Sequence, residues 1–304
     1  MRPGAANGGI ASASLLDLTE TGIETVAVIG DVGGHLDQLR AELVRLGVGE
    51  DGSGALPAGL VVVQVGDLVH RGPDSDGVVE LVELHLGRQP DRWIQLVGNH
   101  EAWYLRRPSF SWDQPIGRAA AARLREWWTQ GRLRAAVALR AGGEELLVSH
   151  AGLTEGFWRH ELGAPATAEA AAERLNRMFG HDDDVLFRGG QLLGGGDPDP
   201  RAGPLWASAG TELLPGWLDL RMPFGQVHGH STLRDAEGRI ADARLAELSS
   251  VDLVARHETT LLEGGRIVGV DPGHGAHAAP SWRSWRLVDH DRVRRRPDSG
   301  GSGP

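Results

Sequence analysis

The chain has 304 residues, 40% hydrophobic and 24% charged, with a formal net charge of −10 and no cysteine. That length buries a real core, and the charge argues against nucleic acid or anionic membrane as a partner. Without cysteine there are no disulfides, thiolate metal sites or cysteine nucleophiles, so any metal must be held by oxygen and nitrogen donors.

Residues 1–22 are rich in Gly, Ala and Ser and are expected to be a flexible N-terminal segment. Met1–Glu20 lacks both a basic and a long apolar stretch, and no apolar run reaches the roughly 20 residues of a membrane helix. A cytoplasmic location is the default expectation. Thr25–Gly30 reads as a strand, followed by a helix over His35–Leu46 with Leu36, Leu39, Leu43 and Leu46 on one face. Leu60–Gly66 is a second strand, a helix capped by Asp74 or Ser75 runs to about Leu86, and Trp93–Gly98 is a third strand. This β-α-β-α-β order predicts parallel strands with helices packed on the sheet.

The Trp-rich stretch Ala102–Arg140 reads as a helical insertion and Glu145–Ser149 as a strand. A second insertion over 155–215 mixes a helix, Ala168–Met178, with a Gly/Pro/Asp loop. Short strands are expected at Gly225–Gly229, Arg266–Val270 and Trp285–Val288. No linker divides 23–290, which reads as one domain, and 291–304 reads as a disordered basic and Gly-rich tail.

One polar pattern recurs. Asp31 follows TVAVIG, Asp67 follows LVVVQVG, Asn99 and His100 follow WIQLVG, His150 follows ELLVS, and His230 closes GQVHG. In open α/β sheets, ligands bind beyond the carboxyl ends of strands. Five strand ends bearing Asp, Asp, Asn, His and His suggest donors converging on a metal site.

The segments GDVGGH (Gly30–His35), GDLVHRGPDS (Gly66–Ser75), GNHE (Gly98–Glu101), SHAGL (Ser149–Leu153) and VHGHS (Val227–Ser231) resemble the successive motifs of the calcineurin-like metallophosphoesterases. They are most similar to the phosphoprotein phosphatase branch, with its bacterial serine/threonine phosphatases and diadenosine tetraphosphate hydrolases. The resemblance implies a four-layer α/β/β/α sandwich with two mixed sheets. It implies two divalent metal ions, manganese first, with iron or zinc as alternatives. Asp31 and Asp67 would bind the first, Asp67 would bridge to the second, and Asn99, His150 and His230 would complete it. His100 would be the general acid and Arg71 would bind the substrate phosphate. Attack would be in line, by a metal-bound hydroxide, on a phosphorylated protein or a small phosphoester or nucleotide.

Two positions depart from the family pattern. Gly33 stands where the first motif carries a metal-binding histidine, and His70 stands where the second carries the Asp that supports the catalytic histidine. The first site is therefore expected to be weakened, to be completed by His35 or His274, or to be lost, leaving a protein that binds phospholigands without turnover. His70 could orient His100 by a hydrogen bond, and a cationic His70 would lower the pKa of His100. A more alkaline or narrower optimum than in a relative with Asp there is expected.

Overall fold

A computed structural model of the chain describes residues 14–106, 112, 115–181, 183–235, 237–274 and 280–288. The first half runs β1 (Leu15–Asp17), β2 (Thr25–Ile29), α1 (Leu36–Arg45), β3 (Leu60–Gln64), α2 (Ser75–Arg88), β4 (Trp93–Leu96), α3 (Asn99–Leu105) and α4 (Arg118–Thr129). It continues with β5 (Leu133–Arg134), β6 (Ala136–Ala141), β7 (Glu144–Ser149), α5 (Glu155–His160) and α6 (Ala168–Gly180). The last strands are β8 (Gly225–His228), β9 (Ser249–Asp252), β10 (His257–Leu262), β11 (Gly265–Gly269) and β12 (Trp285–Val288).

Two mixed sheets result. One has the order β12-β2-β3-β4-β5, and the other β1-β6-β7-β8-β11-β10-β9. Strands β2 to β5 pair in parallel, as the alternating helices require, while β12 returns antiparallel to β2. Period-two alternation decides which side chains meet. Val26 and Val28 of β2 and Val61 and Val63 of β3 face Val137, Leu139, Leu146 and Val148 across the gap between the sheets. Their neighbours Ala27, Ile29 and Val62 turn outward into the core that includes Leu39 and Leu43 of α1 and Val78 and Val82 of α2. On the far side Ala136, Ala138 and Leu147 share that core with Ala171, Ala172 and Leu175 of α6. The layers are therefore helix, sheet, sheet, helix, as expected.

Three expectations need correction. The flexible segment predicted over 1–22 contains β1, whose Leu16 is buried and which pairs in parallel with β6. The insertion predicted as helical over 102–140 ends in β5 and β6. Its Ala- and Leu-rich composition favours helix, but pairing with β7 in the buried sheet overrides that propensity. Strands β9 and β10 were not foreseen. Both are short or half-exposed and rich in Ser, Thr and charged residues. The tail 291–304 lies outside the described residues.

Candidate metal and phosphate site

The strand ends do bring their side chains together. Two buried residues tie the turns. Gln64, at the end of β3, donates to the carbonyls of Gly30 (3.1 Å) and Gly66 (2.7 Å) and accepts from Gly66 N (2.9 Å). Glu101, in the first turn of α3, accepts from the N–H groups of Asp67 (2.7 Å), Leu68 (2.8 Å) and Gly98 (2.9 Å). The first-motif loop is laced to the same turn, since Val32 N and Gly33 N donate to Asp67 O at 3.0 and 2.8 Å.

Close approach explains the glycines. A Cβ on Gly98 would lie 2.2 Å from Asp67 Oδ1, and one on Gly229 would lie 2.2 Å from Asp31 Oδ1. The backbone is strained where the site is made. Asp67, His70, Arg71 and His230 have φ of 54, 73, 64 and 66°, a left-handed conformation costing about 1–3 kcal/mol each that clusters at functional sites.

Around Asp67 the donors share one point. Asp67, His150 and His230 place ligand atoms within 4.8 Å of one another. The terminal amide atom of Asn99 lies 2.9 Å from His150 Nε2, 3.0 Å from His230 Nδ1 and 3.3 Å from each Asp67 oxygen. Two imidazole nitrogens and a carboxylate facing one spot need a positive centre. The Asn99 NH2 can supply it by donating. With the amide turned over, its carbonyl oxygen joins the others as a fourth ligand for a cation.

The tautomers fit that use. His150 Nδ1 lies 3.0 Å from Val65 O and so carries the proton, leaving Nε2 bare toward Asp67 at 3.4 Å. Burial, with neighbouring histidines, holds His150 well below its usual value, and burial holds His230 down at about 3, so both are neutral as metal ligands must be.

Asp31 takes the backbone N–H of His230 on Oδ1 at 2.9 Å. Its carboxyl is raised well above the usual range by burial and by the charges of Asp271 and Asp67. Burial likewise raises Asp67 to about 7. The pocket these groups line also holds Gly33, Arg71, His100, Asp271 and His274. Asp271 was missed by sequence reasoning although it obeys the same rule, standing one residue past the strand expected at Arg266–Val270. The Asp-Pro-Gly that it opens reads as a turn.

His100 faces the pocket. Its Nδ1 lies 2.9 Å from Val69 O and its Nε2 is 3.4 Å from Asp67 Oδ2. Burial keeps its pKa near 3. The orienting bond expected from His70 is not made. His70 Nε2 pairs instead with Tyr104 Oη at 2.6 Å, and its ring packs 4.2 Å from Trp112 and 5.0 Å from His100. Tyr104 Oη also accepts from Ile116 N, which ties His70 to the segment before α4. His70 borders the neighbouring cleft with Pro115 and Gly117.

Arg71 is exposed and its Nη1 donates to His274 O at 3.0 Å. His35 does not line the pocket, but its ring lies 4.3 Å from that of His274. The other arginines considered from sequence lie elsewhere. Arg188 pairs with Asp199, Arg201 with Glu161 and Arg221 with Glu263. His228 is buried and turns Nδ1 to Gly229 O.

A family model, calcineurin-like phosphoesterase, matches residues 24–256, more than half of the chain. The chain belongs to that family. No curated relative matches the sequence. Among solved structures, the phosphoesterase is similar to a cold-active protein-tyrosine phosphatase of a psychrophilic Shewanella species. The identity is 16%, over 89% of this chain and 77% of that one, with a TM-score of 0.52. It is also similar to a protein serine/threonine phosphatase from Saccharomyces cerevisiae, at 19% identity over 47% and 44% of the chains, with a TM-score of 0.34. The first likeness supports the shared fold. The phosphoesterase is thus a metal-dependent hydrolase of phosphate esters, and its donor set around Asp67 fits a metal ion.

Proposed function

We propose that this phosphoesterase hydrolyses phosphate monoesters, with phosphorylated serine or threonine side chains as the substrate class. Asp67, Asn99, His150 and His230 would hold one divalent ion, and Asp31 with Asp67 would hold its neighbour. Manganese is the ion we favour, because every donor is a carboxylate, an amide or an imidazole. Divalent ions in these positions would activate water near neutral pH and neutralise phosphoryl charge. The convergence of Asp67, Asn99, His150 and His230 on one point carries this reading.

The protein's own groups do the rest. Arg71 reaches the pocket from an exposed position and can take a phosphate oxygen, while its bond to the His274 carbonyl fixes its direction. His100 presents Nε2 to the pocket, held there by Val69 O through Nδ1. A phosphate dianion beside it would raise its pKa and allow it to carry a proton to the leaving oxygen. Among the described residues no helix is long and apolar enough to cross a membrane.

Phosphate release from p-nitrophenyl phosphate, from phosphoserine, phosphothreonine and phosphotyrosine peptides, and from diadenosine tetraphosphate tests the proposal. Turnover of phosphoserine or phosphothreonine peptides that depends on added Mn2+ is expected. Turnover of the dinucleotide alone would replace the substrate class, and metal-independent binding without turnover would sink the proposal.

A further inference from the structure

The metal pocket is small. Its volume is about 30 Å³, room for roughly two or three water-sized spheres. Only the phosphoryl end of an ester can enter, so the rest of a substrate must lie outside. A second cleft, of about 250 Å³, adjoins the pocket and shares Arg71 with it. Pro73, Asp74 and Asp76 line it from the turn into α2, and Pro115 and Ile116 line it from the segment before α4. Hydrogen bonds hold these two walls together. Asp76 Oδ1 accepts from Gly117 N at 2.9 Å, and Tyr104 Oη accepts from Ile116 N while it pairs with His70. His70 also lines the cleft, and its ring lies 5.0 Å from that of His100, the group that faces the leaving oxygen. The cleft therefore opens on the leaving-group side of the pocket.

Its chemistry is specific. Asp74 and Asp76 are exposed, and neither makes an ion pair among the described residues. Arg71 is the one fixed cation among the described lining residues, and it is aimed at the phosphate by its bond to His274 O. Once Arg71 holds a phosphate oxygen, two negative charges in the cleft stay unbalanced. Two surface carboxylates alone mean little, but a second observation points to a ligand. His70 is 3% exposed, and its Nδ1 makes no hydrogen bond among the described residues. A buried polar atom left unmatched is costly, so the cleft wall keeps a polar atom for a group that a ligand brings. The remaining phosphates of a dinucleoside polyphosphate would meet two carboxylates here, and like charges repel.

We propose that this cleft binds the residues flanking a phosphorylated serine or threonine, and that Asp74 and Asp76 select peptides with lysine or arginine beside the phosphorylated side chain. Pro73, Pro115 and Ile116 would cover the apolar stem of that residue, as long cationic side chains lay their stems on apolar surface. This rests on the reading of the metal pocket as a phosphomonoesterase acting on proteins.

The test measures kcat/KM of the full-length chain with Mn2+ on three phosphoserine peptides that differ only in the flanking residues, which are arginine, alanine or glutamate. p-Nitrophenyl phosphate, which has no flank, is the control. The wild type is expected to favour arginine over alanine by about fivefold, a scale set by two solvent-exposed ion pairs, chiefly through KM. Salt on the order of 0.5 M should erode the preference by screening. Asp74→Asn combined with Asp76→Asn removes both charges and keeps both acceptor oxygens, so the cap of α2 and the bond from Gly117 survive. That variant should hydrolyse the arginine and alanine peptides with equal kcat/KM. A ratio taken within one protein cancels any general loss of activity. If circular dichroism shows the double variant unfolded, the two single variants decide, each losing part of the preference.

Equal kcat/KM on the three peptides in the wild type, or a preference that survives the substitutions, overturns the proposal and leaves the hydrolase reading intact. So does turnover of p-nitrophenyl phosphate without turnover of any peptide. Faster hydrolysis of diadenosine tetraphosphate than of every peptide overturns the proposal and assigns the cleft to nucleotides. No Mn2+-dependent turnover of any ester overturns both readings.

Discussion

At the scale of single residues, Glu101 and His100 show how positioning and chemistry are divided. Glu101 touches no part of the pocket, yet its two oxygens accept three backbone N–H groups that fix Asp67 against the first turn of α3. Burial and then the charge of Asp67 push its carboxyl up to about 8, and the three N–H donors pull the other way. Glu101→Gln turns one acceptor into a donor facing N–H groups. A loss of about 1–3 kcal/mol is expected, the cost of leaving a buried N–H donor unsatisfied. Denaturant unfolding reads it, and an unchanged midpoint would remove Glu101 from this role.

His100 is neutral because it is buried, and Arg71 lowers it further. His70→Asp would put a carboxylate at the position whose ring now packs 5.0 Å, centre to centre, from that of His100. An opposite charge favours the imidazolium. A general acid works only while protonated, so the alkaline limb of the pH–rate profile should move to higher pH in that variant. The wild-type profile is then the narrower of the two. Superimposable profiles would show that position 70 has no electrical influence on His100.

At the scale of elements, the strand-end rule worked because the loops after these strands, in both sheets, open toward one place and carry the polar residue within about three positions of the strand. Strands β2, β3, β7 and β8 carry Asp31, Asp67, His150 and His230 there, and β4 runs into α3 with Asn99 and His100. These were legible because each apolar run is local and ends in a short polar signature. Asp271 was not, since β11 is followed by a turn-like sequence. The Ala-rich run that becomes β6 was not legible either, because its strand character comes from the partners on both sides.

The packing of α2 on β4 gives a separate prediction. His85 stacks on Trp93 at 4.8 Å and donates through Nε2 to Gly52 O, with no partner for Nδ1. Burial lowers its pKa below the usual 6.5, and burial lowers that of His257 on β10 likewise. A lowered imidazole stabilises the fold above about pH 6.5, the unfolded value, and that contribution is lost as pH falls toward the folded value. Melting temperature should therefore drop between pH 8 and 5, and less steeply in His85→Gln. An equal slope in both proteins would assign the acid sensitivity to other groups.

At the scale of the whole molecule, the site draws on both sheets, so metal binding should report on global stability. Asp31 and Asp67 are crowded, buried carboxylates held above their usual range. A cation relieves that repulsion and favours their ionised forms. Mn2+ at about a hundred times its dissociation constant should add about 2.7 kcal/mol by mass action. That corresponds to a rise of several degrees in melting temperature, reversed by a chelator, with protons released on binding. A melting temperature indifferent to both Mn2+ and chelator would contradict a metal centre shared by the two sheets.

The sequence by itself determined the family, the parallel βαβ half and the identity of most polar residues at the strand ends. Those depend on short local patterns, apolar runs closed by Gly-Asp, Gly-Asn-His or His-Gly-His. Tertiary structure alone decided which histidine stands against Gly33, where His70 finds its partner, and that Asp271 joins the carboxylates. Each of these is a meeting of side chains from elements tens to hundreds of residues apart. Spacing along the chain does not encode such meetings, and only the packing of the two sheets brings them about.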